Sequence, residues 1–155
     1  MSAELMRGLA SGALGTAALN MTTYLDVAIR GRAMSSVPEQ DVEKLADIAG
    51  VELAAGRSDE EAENRKQGLG ALIGYVTGLG IGAVYGLVRP HARAVPLPVA
   101  AVAVGLGAMA ATDGATTLLG NADPTQWSAK SWATDIVPHL AYGAAAVAGY
   151  ERFRS

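Results

Sequence analysis

Cysteine is absent from this chain of 155 residues, which excludes disulfide bonds and thiolate metal sites. Charged residues are scarce as well, at 17% of the sequence against roughly 25% in an average soluble domain. The formal net charge is −3, so the chain lacks the basic footprint that a nucleic-acid partner requires. Half of the residues are hydrophobic, and the composition therefore points away from an ordinary soluble domain.

Charge is missing altogether from four long segments of the sequence. These segments are residues 8–25, 69–88, 95–112 and 136–150. An uncharged helix of about 20 residues spans the roughly 30 Å hydrocarbon core of a bilayer. The pattern predicts an all-α fold, an integral membrane four-helix bundle, with the lipid bilayer as its surroundings.

The predicted organisation is a single membrane domain over residues 1–155. The spans are expected at about 5–29, 68–88, 97–118 and 135–152, with a polar loop at 30–67. A cleaved signal peptide is the competing interpretation of the first span, but Arg30 and Arg32 follow it directly and further spans come after it. A soluble bundle is the competing interpretation of the whole chain, but its helices would each show a polar face.

Glycine recurs at every fourth position of the second predicted span. The five positions are Gly70, Gly74, Gly78, Gly82 and Gly86. Residues four apart lie on one face of a helix, and glycines there let a second backbone approach closely, as in small-xxx-small packing between membrane helices. This helix-packing face is longer than one crossing partner needs, so we expect self-association or a membrane-protein partner.

The polar loop carries signals for two helix starts. Ser36 with Glu39, and Ser58 with Glu61, have the spacing of a capping box. The first box predicts a short amphipathic helix, at the membrane surface or docked on the bundle, with an ordinary solvated helix as the alternative. The narrow apolar stripe of this helix consists of Val42, Leu45 and Ile48. The second box is expected to begin a helix that continues into the second span.

Basic residues set the expected orientation. They are dense at the N-terminus, in the turn at 89–96 and at the C-terminus, which places both termini in the cytoplasm by the positive-inside rule. Trp127 and Trp132 precede the last span and fit an interfacial aromatic belt on the opposite side. The basic residues that oppose this orientation are Arg30, Arg32, Arg65 and Lys66.

A few polar side chains lie within the predicted spans, where ionisable groups are costly and usually face the interior. They are Asn20, Asp26, Asp113, Asp135 and His139. If the helices alternate in direction, the three carboxylates and the imidazole fall in one leaflet, where they are suited to hold a cation or exchange a proton. The Asn20 amide is equally suited to join two helices by hydrogen bonds.

Structural explanations compete with the functional one at these positions. Asp26 has Arg30 one turn away. Asp135 is a suitable N-cap for the fourth span, and the His139 imidazole can bond to a backbone carbonyl. Asp113 has no such neighbour in sequence, and we expect His139 on the adjacent antiparallel helix to be its partner.

Two short stretches resemble a known family. Residues 127–142, WSAKSWATDIVPHLAY, resemble the closing segment of the YagU-like small inner-membrane proteins, which have an aromatic before an acidic residue and then a histidine four residues later. The opening stretch 8–15, GLASGALG, is similar to their first helix. The resemblance implies a multi-pass protein of the bacterial inner membrane. Asp135 and His139 match the family's polar positions, whereas Pro138 departs from the small residue that is usual there.

The sequence shows no catalytic constellation. Neither His91 nor His139 is accompanied by a serine-bearing elbow, so we expect no enzyme activity and no cofactor. The expected function is that of a non-enzymatic structural or accessory membrane protein, oligomeric or part of a larger complex. The alternative is a small proton- or cation-linked transporter that uses the Asp and His side chains within the spans.

Overall fold

The structure, a computed structural model, describes residues 2–154. Within that part of the chain there are five α-helices and no strand, so the all-α prediction is confirmed. The helices are α1 (Ala3–Arg30), α2 (Val37–Ala49), α3 (Asp59–Val88), α4 (Leu97–Leu119) and α5 (Ala129–Arg154). Short 3₁₀ turns at Arg89–His91 and Pro124–Gln126 precede α4 and α5.

Both helix starts expected in the first loop are found, after Ser36 and after Ser58, but only one of the two predicted capping boxes forms. Ser58 forms the predicted capping box: its hydroxyl accepts the Glu61 amide at 3.3 Å, and the Glu61 carboxylate accepts the Ser58 amide at 2.9 Å. The box predicted at Ser36 is wrong. The Ser36 backbone has φ −94° and ψ 5° instead of the extended cap conformation, so its hydroxyl accepts the Gln40 side chain at 3.1 Å.

The last helix begins earlier than predicted. α5 starts at Ala129 because the Ser128 hydroxyl accepts the Ser131 amide at 3.1 Å and takes the capping role. Asp135 therefore lies in the second turn of α5, and the expectation that it caps the helix is wrong. Pro138 stands inside α5, where it lacks the amide that would bond the carbonyl four residues back.

Two segments of the described chain are long and apolar enough to cross a membrane by length and composition. They are Asp59–His91, which includes α3, and Leu97–Leu119, which is α4. In α1 and α5, small and polar residues dilute the aliphatic ones. Buried helices of soluble proteins pass the same test, so hydropathy alone supports crossing for two helices and leaves the four-span bundle as a proposal.

The helices pack in the order α3, α1, α5, α4, and the closest approach is made through glycine. A Cβ atom on Gly8 of α1 would lie 2.6 Å from the carbonyl oxygen of Gly82 on α3. A Cβ atom on Gly12 would lie equally close, at 2.6 Å, to the carbonyl oxygen of Gly78. Any side chain at these positions would overlap the opposite backbone, so this packing requires glycine.

The predicted glycine face of α3 is used inside the chain. The glycines that contact α1 are Gly78, Gly82 and Gly86. Gly70 contacts α2 instead, where a Cβ atom would lie 3.1 Å from Cβ of Pro38, and Gly74 has no neighbour within 4 Å. The length of this face therefore reflects two partners within one chain and gives no separate support for self-association.

Two tyrosines of α5 reach α3 and fill the space beside its glycines. The Tyr142 hydroxyl donates to the carbonyl oxygen of Gly78 at 2.5 Å. The Tyr150 hydroxyl donates to the carbonyl oxygen of Gly86 at 3.3 Å and to the Glu4 carboxylate. Both tyrosine side chains are fully buried. These rings join α5 to α1 and α3 at positions where glycine supplies no side chain of its own.

α2 docks between α3 and α4 at one end of the bundle. The Asp41 carboxylate accepts the Thr116 hydroxyl at 2.7 Å and the Asn121 side-chain amide at 2.8 Å. Val42 of the predicted apolar stripe is buried, whereas the rest of the stripe is exposed. The docked arrangement is therefore confirmed, with one stripe residue in the contact.

The close approach of α1 and α3 predicts that Gly82→Ala destabilises the protein. The added Cβ would overlap the α1 backbone at Gly12, and overpacking of this kind costs about 1–3 kcal/mol. Gly80→Ala is the matched control, because a Cβ atom there meets nothing within 4 Å. Thermal melting in mild detergent measures the difference, and equal melting temperatures for the two variants would contradict the packing.

Candidate functional site

α4 and α5 approach closely enough to bring their polar side chains together. A Cβ atom on Gly105 of α4 would lie 2.6 Å from the carbonyl oxygen of His139 on α5. About two turns further along α4, Thr112 and Asp113 face Asp135 and His139. These four side chains form the polar cluster, which contains three of the five polar residues predicted from the sequence.

His139 is buried between hydrogen-bond acceptors. Its Nδ1 lies 2.9 Å from the Asp135 carbonyl oxygen and 3.3 Å from an oxygen of the Asp135 carboxylate. Its Nε2 lies 3.4 Å from the Thr112 hydroxyl, which itself donates to carbonyl oxygens of its own helix. Both ring nitrogens thus face oxygen atoms that can accept, an arrangement that accommodates a doubly protonated imidazole.

Asp113 and Asp135 form a carboxyl pair. Their side chains lie close enough to interact electrostatically. Asp113 also interacts through its charge with His139, the partner expected from the sequence. The second oxygen of Asp135 is buried and, within residues 2–154, has no hydrogen-bond partner. The cluster consequently has two neighbouring carboxyl groups beside an imidazole, and an unused acceptor.

Asp26 and Asn20 lie outside the polar cluster. The Asp26 carboxylate accepts the Arg30 guanidinium at 2.5 Å and the Arg32 guanidinium at 2.6 Å, as the structural explanation for this residue expected. Arg30 also donates to the Thr134 hydroxyl at 2.8 Å and so connects α1 with α5. Asn20 is half-buried on α1, and among the described residues its amide has no hydrogen-bond partner. The structure does not show Asn20 joining two helices.

An ion pair at the opposite end was missed by sequence reasoning. Arg89 is buried, and its guanidinium donates to the Glu151 carboxylate at 2.7 Å and to the carbonyl oxygens of Ala92 and Val95 at 2.8 and 3.0 Å. In the sequence Arg89 reads only as a basic residue at the end of a span, and nothing there indicates its partner on α5.

Comparisons with protein-family models, curated proteins and solved structures each find no match. The resemblance to YagU-like proteins therefore stays a prediction, and the site is interpreted from its own geometry. Across residues 2–154 no group of three or more His, Cys, Asp or Glu side chains is arranged to hold a metal ion. The polar cluster brings together carboxyl and imidazole groups, which are the side chains suited to proton exchange.

The carboxyl pair predicts energetic coupling between Asp113 and Asp135. In a double-mutant cycle of Asp113→Ala and Asp135→Ala, we expect a coupling free energy with a magnitude of about 1 kcal/mol, because the two neighbouring carboxyl groups interact electrostatically. The matched cycle of Asp113→Ala with Asp26→Ala should give a value near zero, since Asp26 is bound to arginines. Melting in detergent measures both cycles, and equal values would show that the carboxyl pair does not form.

Proposed function

We propose that this chain is a non-enzymatic structural or accessory protein of the membrane, in which α1, α3, α4 and α5 form a four-helix transmembrane bundle. The observation that carries the proposal is the distribution of side-chain size between the inside and the outside of the bundle. Small residues and tyrosines line the inside, and large aliphatic residues cover the outside. A soluble helical bundle has the opposite distribution, with polar residues outside.

Exposed aliphatic residues occur along the long helices of the bundle. Val76 and Val84 of α3 are 71% and 62% exposed, and Leu25 of α1 and Leu106 of α4 are exposed as well. The hydrophobic effect would strongly oppose such a surface in water. In lipid it costs nothing, and helices there associate through close packing of small residues, as α1 and α3 do.

Two buried hydroxyl groups of α1 are satisfied by their own helix. The Ser11 hydroxyl donates to the Gly8 carbonyl at 2.8 Å, and the Thr16 hydroxyl donates to the Gly12 carbonyl at 2.9 Å. Such bonds leave no donor facing lipid. These bonds support the inclusion of α1 in the transmembrane bundle, because the serine and threonine residues that lower its mean hydropathy are the ones whose hydroxyl groups are satisfied.

Charged residues lie at the two ends of the proposed bundle. One end holds both chain termini and the Arg89–Glu151 ion pair, and the other holds Asp26 with its two arginines. Between these ends lies an apolar band, which supports a multi-pass arrangement with both termini on one side. The density of basic residues favours the cytoplasm for that side, and the resemblance of residues 127–142 favours the bacterial inner membrane.

The proposal predicts that exposed positions on α3 differ in their access to water. Because the chain has no cysteine, Val76→Cys and Glu60→Cys each introduce a single thiol at an exposed position of the same helix. In membranes opened on both sides, a membrane-impermeant maleimide should label position 60 and leave position 76 unlabelled. Equal labelling at both positions would show that the apolar band faces water, and the membrane proposal would then be wrong.

Self-association is part of the proposal, and the structure supports α4 as the contacting helix. Four exposed small residues follow one another at spacings of four, three and four along one face: Ala103, Gly107, Ala110 and Gly114. Cβ atoms built on Gly107 and Gly114 meet nothing within 4 Å. This face suits the close approach of a second membrane helix, whereas the glycine face of α3 is covered by α1 and α2.

Gly107→Leu should therefore weaken self-association without unfolding the protein. Gly80→Leu is the matched control, because Gly80 is also open within the chain but lies on α3. We expect the first variant to sediment in detergent as a smaller species than the second, since a branched side chain on α4 would hold the copies apart. The same sedimentation for both variants would remove α4 from the contact.

A small proton-linked transporter is the second candidate function, and the polar cluster is the observation that favours it. Neighbouring carboxyl groups and a buried imidazole within the proposed membrane band are features of proton-exchange sites. Asp113→Asn separates the candidates, because it keeps the shape of the side chain and removes a group that can bind and release a proton. A transporter would lose proton-coupled flux in proteoliposomes, whereas a scaffold would keep its assembly.

A further inference from the structure

A cavity of about 200 Å³ lies between α1 and α5, outside the polar cluster. Arg30 and Lys130 stand at its outer mouth, and Thr134 lies behind them. The inner part is formed about two helical turns deeper by Thr22 and Val137. The cavity thus changes from charged to apolar along the helix axes.

The charges around this cavity sum to a positive value. Arg30, Arg32 and Lys130 provide three positive charges, and Asp26, which both arginines bind, provides one negative charge. Among the described residues the Lys130 ammonium has no ion-pair partner. The neighbouring carboxylate of Asp135 is engaged with the polar cluster on α4. An anion at the mouth would therefore meet two uncompensated positive charges.

The surroundings of the cavity match the boundary between headgroups and acyl chains. Val137 and the flanking Leu25 and Met21 of α1 are all more than half exposed and lie on the inner side of the charged mouth. Near the level of the mouth, Trp132 packs edge-on against Trp127 with ring centroids 5.1 Å apart. Tryptophan is enriched at this depth of membrane proteins.

We propose that this cavity binds the phosphate headgroup of an anionic phospholipid, with the acyl chains lying along α1 and α5. At about 200 Å³ the cavity is too small for a whole lipid. Basic pockets between membrane helices are known sites for anionic headgroups. Free phosphate shares the headgroup chemistry, but it would make no use of the apolar wall. The inference rests on the proposed membrane bundle.

The test measures binding of dioctanoyl phosphatidylglycerol to the full chain in detergent by titration calorimetry. Lys130→Gln should weaken binding about fivefold, because one basic side chain near a headgroup contributes about that factor. Lys44→Gln is the matched control: it makes the same change at an exposed lysine of α2, away from the cavity. We expect Lys44→Gln to bind as the unmodified protein does.

Further measurements distinguish a lipid headgroup from free phosphate as the bound anion. They also distinguish failure of this site from failure of the membrane proposal. Dioctanoyl phosphatidylcholine should bind more weakly than the anionic lipid, and inorganic phosphate should not displace that lipid. Equal affinities for Lys130→Gln and Lys44→Gln would overturn the site, and tight binding of inorganic phosphate would replace it with a free-anion site. Labelling of Val76→Cys in the Lys130→Gln background reports on membrane insertion separately.

Discussion

The contact on which this fold depends is the approach of two backbones, those of α1 and α3, without side chains between them. Gly8 and Gly12 face carbonyl oxygens of Gly78 and Gly82 at distances that admit no Cβ atom. Helices this close cannot cover their own flanks, because glycine has no side chain to do so. The flanks are covered from α5, whose buried tyrosine Tyr142 donates to one of the same glycine carbonyls. The position of α5 therefore follows from the glycine contact.

Once the interior is made of backbone, small residues and tyrosine, the large aliphatic residues have no place inside. This explains the exposure of residues such as Val76. It also explains why the proposed bilayer suits the fold: lipid surrounds the large aliphatic side chains that the interior has no room for. The same interior explains why hydropathy identifies α3 and α4 as candidate spans but not α1. α1 contributes glycine residues and hydroxyl side chains to its contacts with two helices, and these residues lower its mean hydropathy whatever surrounds the helix.

The sequence was most informative where a local pattern determines a local structure. The Ser58 box depends only on residues within one turn, and it was predicted. Other features depend on tertiary or competing local contacts. Asp135 has the residue type of an N-cap, but Ser128 accepts the Ser131 amide and takes that role. His139 was predicted as a partner of Asp113, whereas the proximity of Asp135 to Asp113 could not be read from the sequence, because it depends on how closely α4 and α5 cross.

The two ends of the bundle differ in the contacts that stabilise them. At the end with the termini, Arg89 is bound to Glu151 and to two loop carbonyls, and Tyr150 joins α5 to α1 and α3. The other end contains Pro138, which removes one backbone hydrogen bond from α5, and the cavity beside Arg30. The polar cluster lies in this same half, and its residue His139 directly follows Pro138. The polar cluster and the proposed headgroup site are thus both in the half of the molecule where α5 lacks a backbone hydrogen bond. They are also adjacent in sequence, because Thr134, which accepts the Arg30 guanidinium beside the cavity, directly precedes Asp135.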